Sequence, residues 1–252
     1  TKEMREMFDD MAVFDFTKPS KLIEYLIKLE VNDINEKDFI IMDFFSGSGT
    51  TAQSVFQANI QDSGKRKFIL VQLPERCGED SVARKEGYAC ICDIGEERIR
   101  RAGKKIKEES PMTTGDLDIG FRVFRVDTTN MEDVYYRPAD YDQGQMQLFA
   151  NNIKADRTPE DLLFQVMLDL GILLSSDIEE TEIAGKKVFS VAGGYLIACF
   201  DSDVTEETVK AIAQRKPFYA VFRDSGMASD SVATNFEQIF ETYSPKTQRK
   251  VL

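Results

Sequence analysis

Asp43 closes a run of four apolar residues, Phe39 to Met42, and opens the stretch Phe44-Phe45-Ser46-Gly47-Ser48-Gly49-Thr50-Thr51. A carboxylate, two aromatics and a turn of small residues stand here in that order. Glycine leaves the backbone of such a turn open to close approach by a ligand. The carboxylate before the turn favours a positive charge on whatever enters. Upstream, Thr17-Lys18-Pro19 precedes a helical pattern and offers a cation beside a second helix start, a place suited to a carboxylate.

Gly47-Ser48-Gly49-Thr50-Thr51-Ala52 also fits G-x-G-x-x-[GA], the dinucleotide fingerprint. Its surroundings argue against a nicotinamide cofactor. The fingerprint wants an acid at the end of the second strand, and that run ends near Gln72. A phosphate-binding P-loop fits worse, because no lysine follows the glycines and Asp43 would repel a pyrophosphate. S-adenosylmethionine carries a sulfonium and an ammonium, and both suit Asp43. The turn is therefore read as holding its methionine part.

These residues need a strand, a tight turn and a helix to position them. Phe39–Met42 reads as a buried strand, residues 50–59 as a helix, and Phe68–Leu73 as a neighbouring parallel strand, which makes a βαβ unit. Leu22, Ile23, Leu26 and Ile27 predict one apolar face on a helix begun at Thr17-Lys18-Pro19. Tyr88–Cys92 predicts a short strand and Phe121–Val126 another. The stretch from Glu96 predicts a basic helix whose Arg98, Arg100, Arg101, Lys104, Lys105 and Lys107 face solvent or DNA phosphates. Residues 128–156 lack a period and read as a connector that can hold a helix. Thr158-Pro159-Glu160-Asp161 starts a helix. Lys187–Val191 and Tyr195–Phe200 flank Ala192-Gly193-Gly194 as a hairpin. Helices over 205–214 and 229–242, a strand over 218–222 and a last strand from Lys250 complete a small α/β unit.

Bulk properties narrow the chemistry. The 252 residues include no histidine, which removes Ser-His-Asp and Cys-His nucleophile systems and most zinc enzymes. Cys77, Cys90, Cys92 and Cys199 follow no zinc or redox spacing, so no metal site is expected. The net charge is -12, with 20 basic and 24 acidic residues in 1–127 and 12 and 20 in 128–252. The acidic second half suits a protein partner better than DNA. No apolar run approaches the ~20 residues of a bilayer span, and TKEMREMFDD lacks signal-peptide regions, so no membrane partner and a cytoplasmic location are expected.

Asp43 to Thr51 resembles the cofactor motif of amino-methylating DNA methyltransferases. Phe14 to Ile27, centred on Thr17-Lys18-Pro19, resembles the partner motif that precedes it in the circularly permuted β class. Lys67 to Glu75, Ile94 to Lys107, Gly120 to Phe124, and the tail from Arg157 through Gly226 continue in the order of the modification subunit of type III restriction–modification systems. The resemblance covers nearly all of the chain and the later part of a family member. It implies adenine-N6 methylation of DNA with S-adenosylmethionine. It also implies partners in DNA (through the full-length protein), a second modification subunit and a restriction subunit. It places Thr17, Lys18, Pro19, Asp43, Phe44, Phe45, Gly47, Ser48, Gly49, Thr50 and Thr51 at the cofactor, with Gln72 where relatives bind the ribose.

The seven prolines include no adjacent pair, so the family's Asp/Asn/Ser-Pro-Pro-Tyr/Phe/Trp catalytic motif is missing. No catalytic residue is assigned, and the chain is read as a carboxyl-terminal fragment, inactive alone. The expected fold is α/β: an incomplete Rossmann-like methyltransferase sheet over 1–127, a connector over 128–156, and a carboxyl-terminal α/β domain over 157–252. The alternatives are a subunit-assembly module without activity, or a nicotinamide-dependent oxidoreductase.

Overall fold

The apolar run before Asp43 forms β1 (Ile40–Asp43), paired in parallel with β2 (Lys67–Leu70) in the register Ile41↔Phe68 and Asp43↔Leu70. This computed structural model describes residues 2–30, 37–112, 114–132 and 152–252. The chain falls into two units, Thr1–Phe121 and Arg122–Leu252.

In the first unit, α1 (Lys2–Met7) and α2 (Ser20–Glu30) precede β1. A left-handed turn then leads into α3 (Thr50–Asp62), with Gly47 at φ 53° and Gly49 at φ 74°, angles that exclude most other residues. α3 is buried along most of its length. Its Val55 and Ala58 pack with Ile27, Ile41 and Phe68, and its Ala52 and Phe56 with Leu70 and Ile99. After β2 come α4 (Val82–Lys85) and the long α5 (Ile91–Glu109). Gly95 of α5 lies against the turn, and a Cβ there would sit 3.3 Å from the Gly47 carbonyl oxygen. A glycine at this position lets α5 run directly beneath the turn.

Four local expectations differ from this picture. α5 starts at Ile91, earlier than Glu96, because Asp93 accepts the backbone N–H groups of Ala89 (2.7 Å) and Cys90 (2.9 Å) and caps the helix there. That start leaves Tyr88–Cys92 only one bridge, Arg76↔Cys90, instead of a strand. Phe121–Val126 is not a strand. Phe121 lies under the Arg100 guanidinium and Val126 is fully exposed. On α2, Ile27 is buried and Ile23 partly so, while Leu22 and Leu26 are exposed, so the packed face is narrower than expected.

The second unit begins with α6 (Pro159–Asp169), held by a reciprocal cap between Thr158 and Asp161. A sheet of order β3-β4-β5-β6-β7 follows: β3 (Ile178–Ile183), β4 (Lys186–Val191), β5 (Leu196–Cys199), β6 (Tyr219–Phe222) and β7 (Gln248–Val251). β3, β4 and β5 run antiparallel, and β5, β6 and β7 parallel. β4 and β5 form the expected hairpin across Ala192-Gly193-Gly194. β3 was not expected. Between β5 and β6 lies α7 (Glu206–Gln214), and between β6 and β7 lies α8 (Asp230–Tyr243). One sheet face packs Val188, Ile197 and Phe222 against Ile212 and Phe240. The other packs Phe189, Leu196 and Val221 against Leu163, Val166 and Met167 of α6. Of the connector, residues 133–151 lie outside the described residues.

Candidate active site

The turn after Asp43 borders a cavity of about 240 Å³. Its wall includes Thr17, Lys18, Asp43, Phe45, Gly47, Ser48, Thr50 and Thr51, together with Phe14, Phe16, Ile23 and Ser46. Two segments far apart in sequence, the entry to α2 and the entry to α3, thus meet at one place. Of the other expected cofactor residues, Pro19 and Phe44 are exposed and Gly49 is buried, all three off the cavity wall. Gln72 is off the wall too. Its side-chain oxygen accepts the Gly47 N–H at 2.8 Å and its NH2 group donates to the Leu73 carbonyl. Gln72 therefore braces the turn from behind.

Asp43 is anchored by its own loop. Its Oδ2 accepts the Thr51 hydroxyl at 2.6 Å and its Oδ1 the Phe45 N–H at 3.2 Å. Those bonds aim a fixed carboxylate at the cavity edge. Phe45, 81% exposed, supplies a bare aromatic ring beside it. Phe16 is more exposed still.

The residue that sequence patterns missed is Arg98. Expected on a solvated basic helix face, it is fully buried. Its Nη1 donates to Thr17 Oγ1 (2.8 Å), Ser48 Oγ (2.8 Å) and Thr50 Oγ1 (2.6 Å), and its Nε donates to Gln53 Oε1 (3.0 Å). Burial pulls the guanidinium down to about 10, and the Glu3 carboxylate works against that, so the group stays charged at neutral pH. Glu3 is held below the usual carboxylate range. Its partial burial opposes this, but the Ser20 hydroxyl (2.6 Å), the Ser20 N–H, the Arg98 charge and the Gln53 amide (2.7 Å) outweigh it. The signal for Arg98 was present in the sequence: it stands four residues after Ile94 and four before Ala102, both buried on the same stripe of α5.

Four more residues of the basic face are matched by acids. Arg100 pairs with Glu96 (2.9 Å), Arg101 with Glu97 (2.7 Å) and Asp9 (2.9 Å), Lys104 with Glu108 and Lys105 with Glu109. These pairs leave the face with little net charge to offer a phosphate backbone. Among the described residues, no group of three or more His, Cys, Asp or Glu side chains could hold a metal ion. The Cys92 thiol is pushed up to about 11, mainly by burial and then by Cys90, which makes it a poor nucleophile.

No protein-family model matches the chain. Curated relatives do. The Mod subunit of the type III restriction–modification enzyme EcoP15I from Escherichia coli is 33% identical over 247 residues, 94% of this chain and 34% of that protein. The Mod subunit of StyLTI from Salmonella typhimurium is 40% identical over 131 residues, 52% of this chain and 19% of that protein. This chain is Mod-subunit-like. The type II methyltransferase M.KpnI of Klebsiella pneumoniae is also similar, 34% identical over 99 residues, 39% of this chain and 22% of the relative. The Mod-like chain spans about a third or less of the length of these relatives. Among its described residues, no helix is long and apolar enough to cross a membrane.

Proposed function

We propose that this Mod-like chain is the cofactor-binding part of a DNA methyltransferase that moves a methyl group from S-adenosylmethionine to adenine N6 in a type III restriction–modification system. The observation that carries the reading is the single cavity shared by Thr17, Lys18, Asp43 and the Gly47–Thr51 turn. Its donor set suits the amino-acid end of the cofactor: hydroxyls and a lysine for a carboxylate, and the Asp43 carboxylate for a cation. At about 240 Å³ the cavity is smaller than the ~300–1,000 Å³ of most small-molecule sites, so it suits that end and not the nucleoside.

In this reading the turn and the entry to α2 bind and orient the cofactor. The cofactor supplies an electrophilic methyl on a sulfonium. Orientation of two reactants is worth several kcal/mol, roughly 7–11 in well-aligned cases. Phe45 is placed to contact the cofactor or the target base. Pro19, Phe44 and Gly49 shape the two loops. Gln72 is assigned to the ribose, for which it keeps one amide hydrogen beyond its bond to Leu73. The chain supplies no catalytic side chain, so methylation belongs to the longer protein. Residues 157–252 serve in docking the restriction subunit or a second modification subunit, a role supported by their separate two-faced core. The working location is the cytoplasm, where DNA is met.

Calorimetric titration of the chain with S-adenosylmethionine and with NADH tests the proposal. Saturable binding of S-adenosylmethionine without NADH binding is expected. NADH binding alone would make the oxidoreductase reading correct instead.

A further inference from the structure

Arg98 sits behind the cavity wall and takes no part in the cavity surface itself. Its Nη1 has two hydrogens and three hydroxyl acceptors, Thr17, Ser48 and Thr50, so the bonds are shared. All three residues line the cavity. A hydroxyl that accepts from a guanidinium still has its own hydrogen to donate. The protein offers these hydrogens only long contacts. Thr17 reaches the Lys18 carbonyl at 3.3 Å, Thr50 reaches the same oxygen at 3.5 Å, and Ser48 reaches Thr17 Oγ1 at 3.2 Å. Good O–H···O bonds are ~2.5–3.0 Å. Beside the cavity therefore stand three hydroxyl groups whose donor capacity is underused and each of which already accepts a hydrogen bond.

Such a surface selects an acceptor. A carboxylate offers two oxygens and about four lone-pair sites, and a donor cluster backed by a buried positive charge favours its ionised form. Asp43 on the same cavity is acceptor-only, so it belongs to the opposite end of a zwitterion.

We propose that Arg98 is a positioning residue for the cofactor's carboxylate: its two Nη1 hydrogens, shared among Thr17, Ser48 and Thr50, take up part of the acceptor capacity of these hydroxyls and bias their own hydrogens toward the cavity. This rests on the S-adenosylmethionine reading and assigns its amino-acid carboxylate to one donor cluster. Arg98 acts through the hydroxyls and touches no ligand atom. Gln53 and Glu3 complete the arrangement. Gln53 accepts from Arg98 Nε and donates to Glu3, whose carboxylate supplies the counter-charge. The same guanidinium ties the residue 17 loop to the residue 48–50 turn, so binding geometry and donor orientation depend on one group.

The test compares two ligands on the full chain by calorimetry: S-adenosylmethionine and its decarboxylated analogue, which keeps the sulfonium and the amine. The wild type is expected to favour the carboxylate-bearing ligand by on the order of tenfold, the worth of one or more charge-assisted hydrogen bonds. Arg98→Met is expected to reduce that preference, weakening S-adenosylmethionine more than the analogue, and Arg98→Lys to restore part of it. Equal weakening of both ligands in Arg98→Met would reduce Arg98 to a structural role. Equal affinity of the wild type for both would place the carboxylate elsewhere. Either result overturns the inference and leaves the cofactor reading standing. Binding of neither ligand by the wild type overturns both. Because Arg98 is buried, Ser48→Ala serves where Arg98→Met does not fold. It removes one donor, keeps the guanidinium, and is expected to weaken S-adenosylmethionine severalfold more than the analogue, whereas equal weakening of both ligands in Ser48→Ala overturns the inference.

Discussion

In Arg122–Leu252 the sheet is buried on both faces, Val188, Ile197 and Phe222 on one and Phe189, Leu196 and Val221 on the other. In Thr1–Phe121 the two-stranded sheet packs only Ile41, Phe68 and Leu70. Its other face exposes Ile40, Met42, Ile69 and Val71, between 42% and 51% accessible. Parallel strands are ordinarily covered on both sides. The comparison separates two kinds of unit. The second draws stability from a closed core of its own. The first has a closed helical wall beneath the glycine turn and an open sheet beside it. Its largest fully buried side chain, the polar Arg98, lies at the site, whereas the second unit's largest buried side chains are apolar.

The largest effect should come from the closed core. Phe222→Ala removes a fully buried ring and should cost about 3–5 kcal/mol, whereas Met42→Ala on the open face should cost less than about 0.5 kcal/mol. Circular dichroism melts of the two variants read this contrast, and a comparable loss for Met42→Ala would mean that the open face is covered.

A smaller effect belongs to the turn. Gly49→Ala forces a Cβ onto a backbone at φ 74°, 3.1 Å from the Gly95 carbonyl oxygen, and should cost about 1–3 kcal/mol. It should also weaken S-adenosylmethionine binding, measured by calorimetry, because α5 carries Arg98 and must shift. Unchanged binding would uncouple the turn from α5.

The smallest effect concerns pH. Glu3 has a folded-state value below its ordinary 4.5, so its contribution is complete above 4.5 and is lost as the pH falls through the depressed value. Melts of the wild type from pH 6 down to pH 3 should therefore lose the first unit's transition faster than melts of Glu3→Gln. Parallel curves would show that the Glu3–Gln53–Arg98 network contributes nothing to stability.

Much of the molecule was legible because its signals are local. Asp43, Gly47 and Gly49 announce a strand end and a left-handed turn, since few other residues tolerate those angles. Thr158-Pro159-Glu160-Asp161 announces a helix by satisfying its own first N–H groups, and the two glycines after Ala192 announce a hairpin. β3 was missed because Ile178–Ile183 carries three glutamates and has β4 as its one neighbour, so burial leaves no clear alternation. The start of α5 was missed because a cysteine holds the N-cap position and the capping work falls to Asp93.

Residue order alone decided that a carboxylate, a glycine turn and a helix start occur together, because bond geometry and backbone sterics act over a few positions. Only the tertiary structure decided that Arg98 lies under that turn with the Thr17, Ser48 and Thr50 hydroxyls around it. A helix face becomes buried or solvated according to what packs on it, and here the entries to α2 and α3, distant along the chain, take an arginine out of water together.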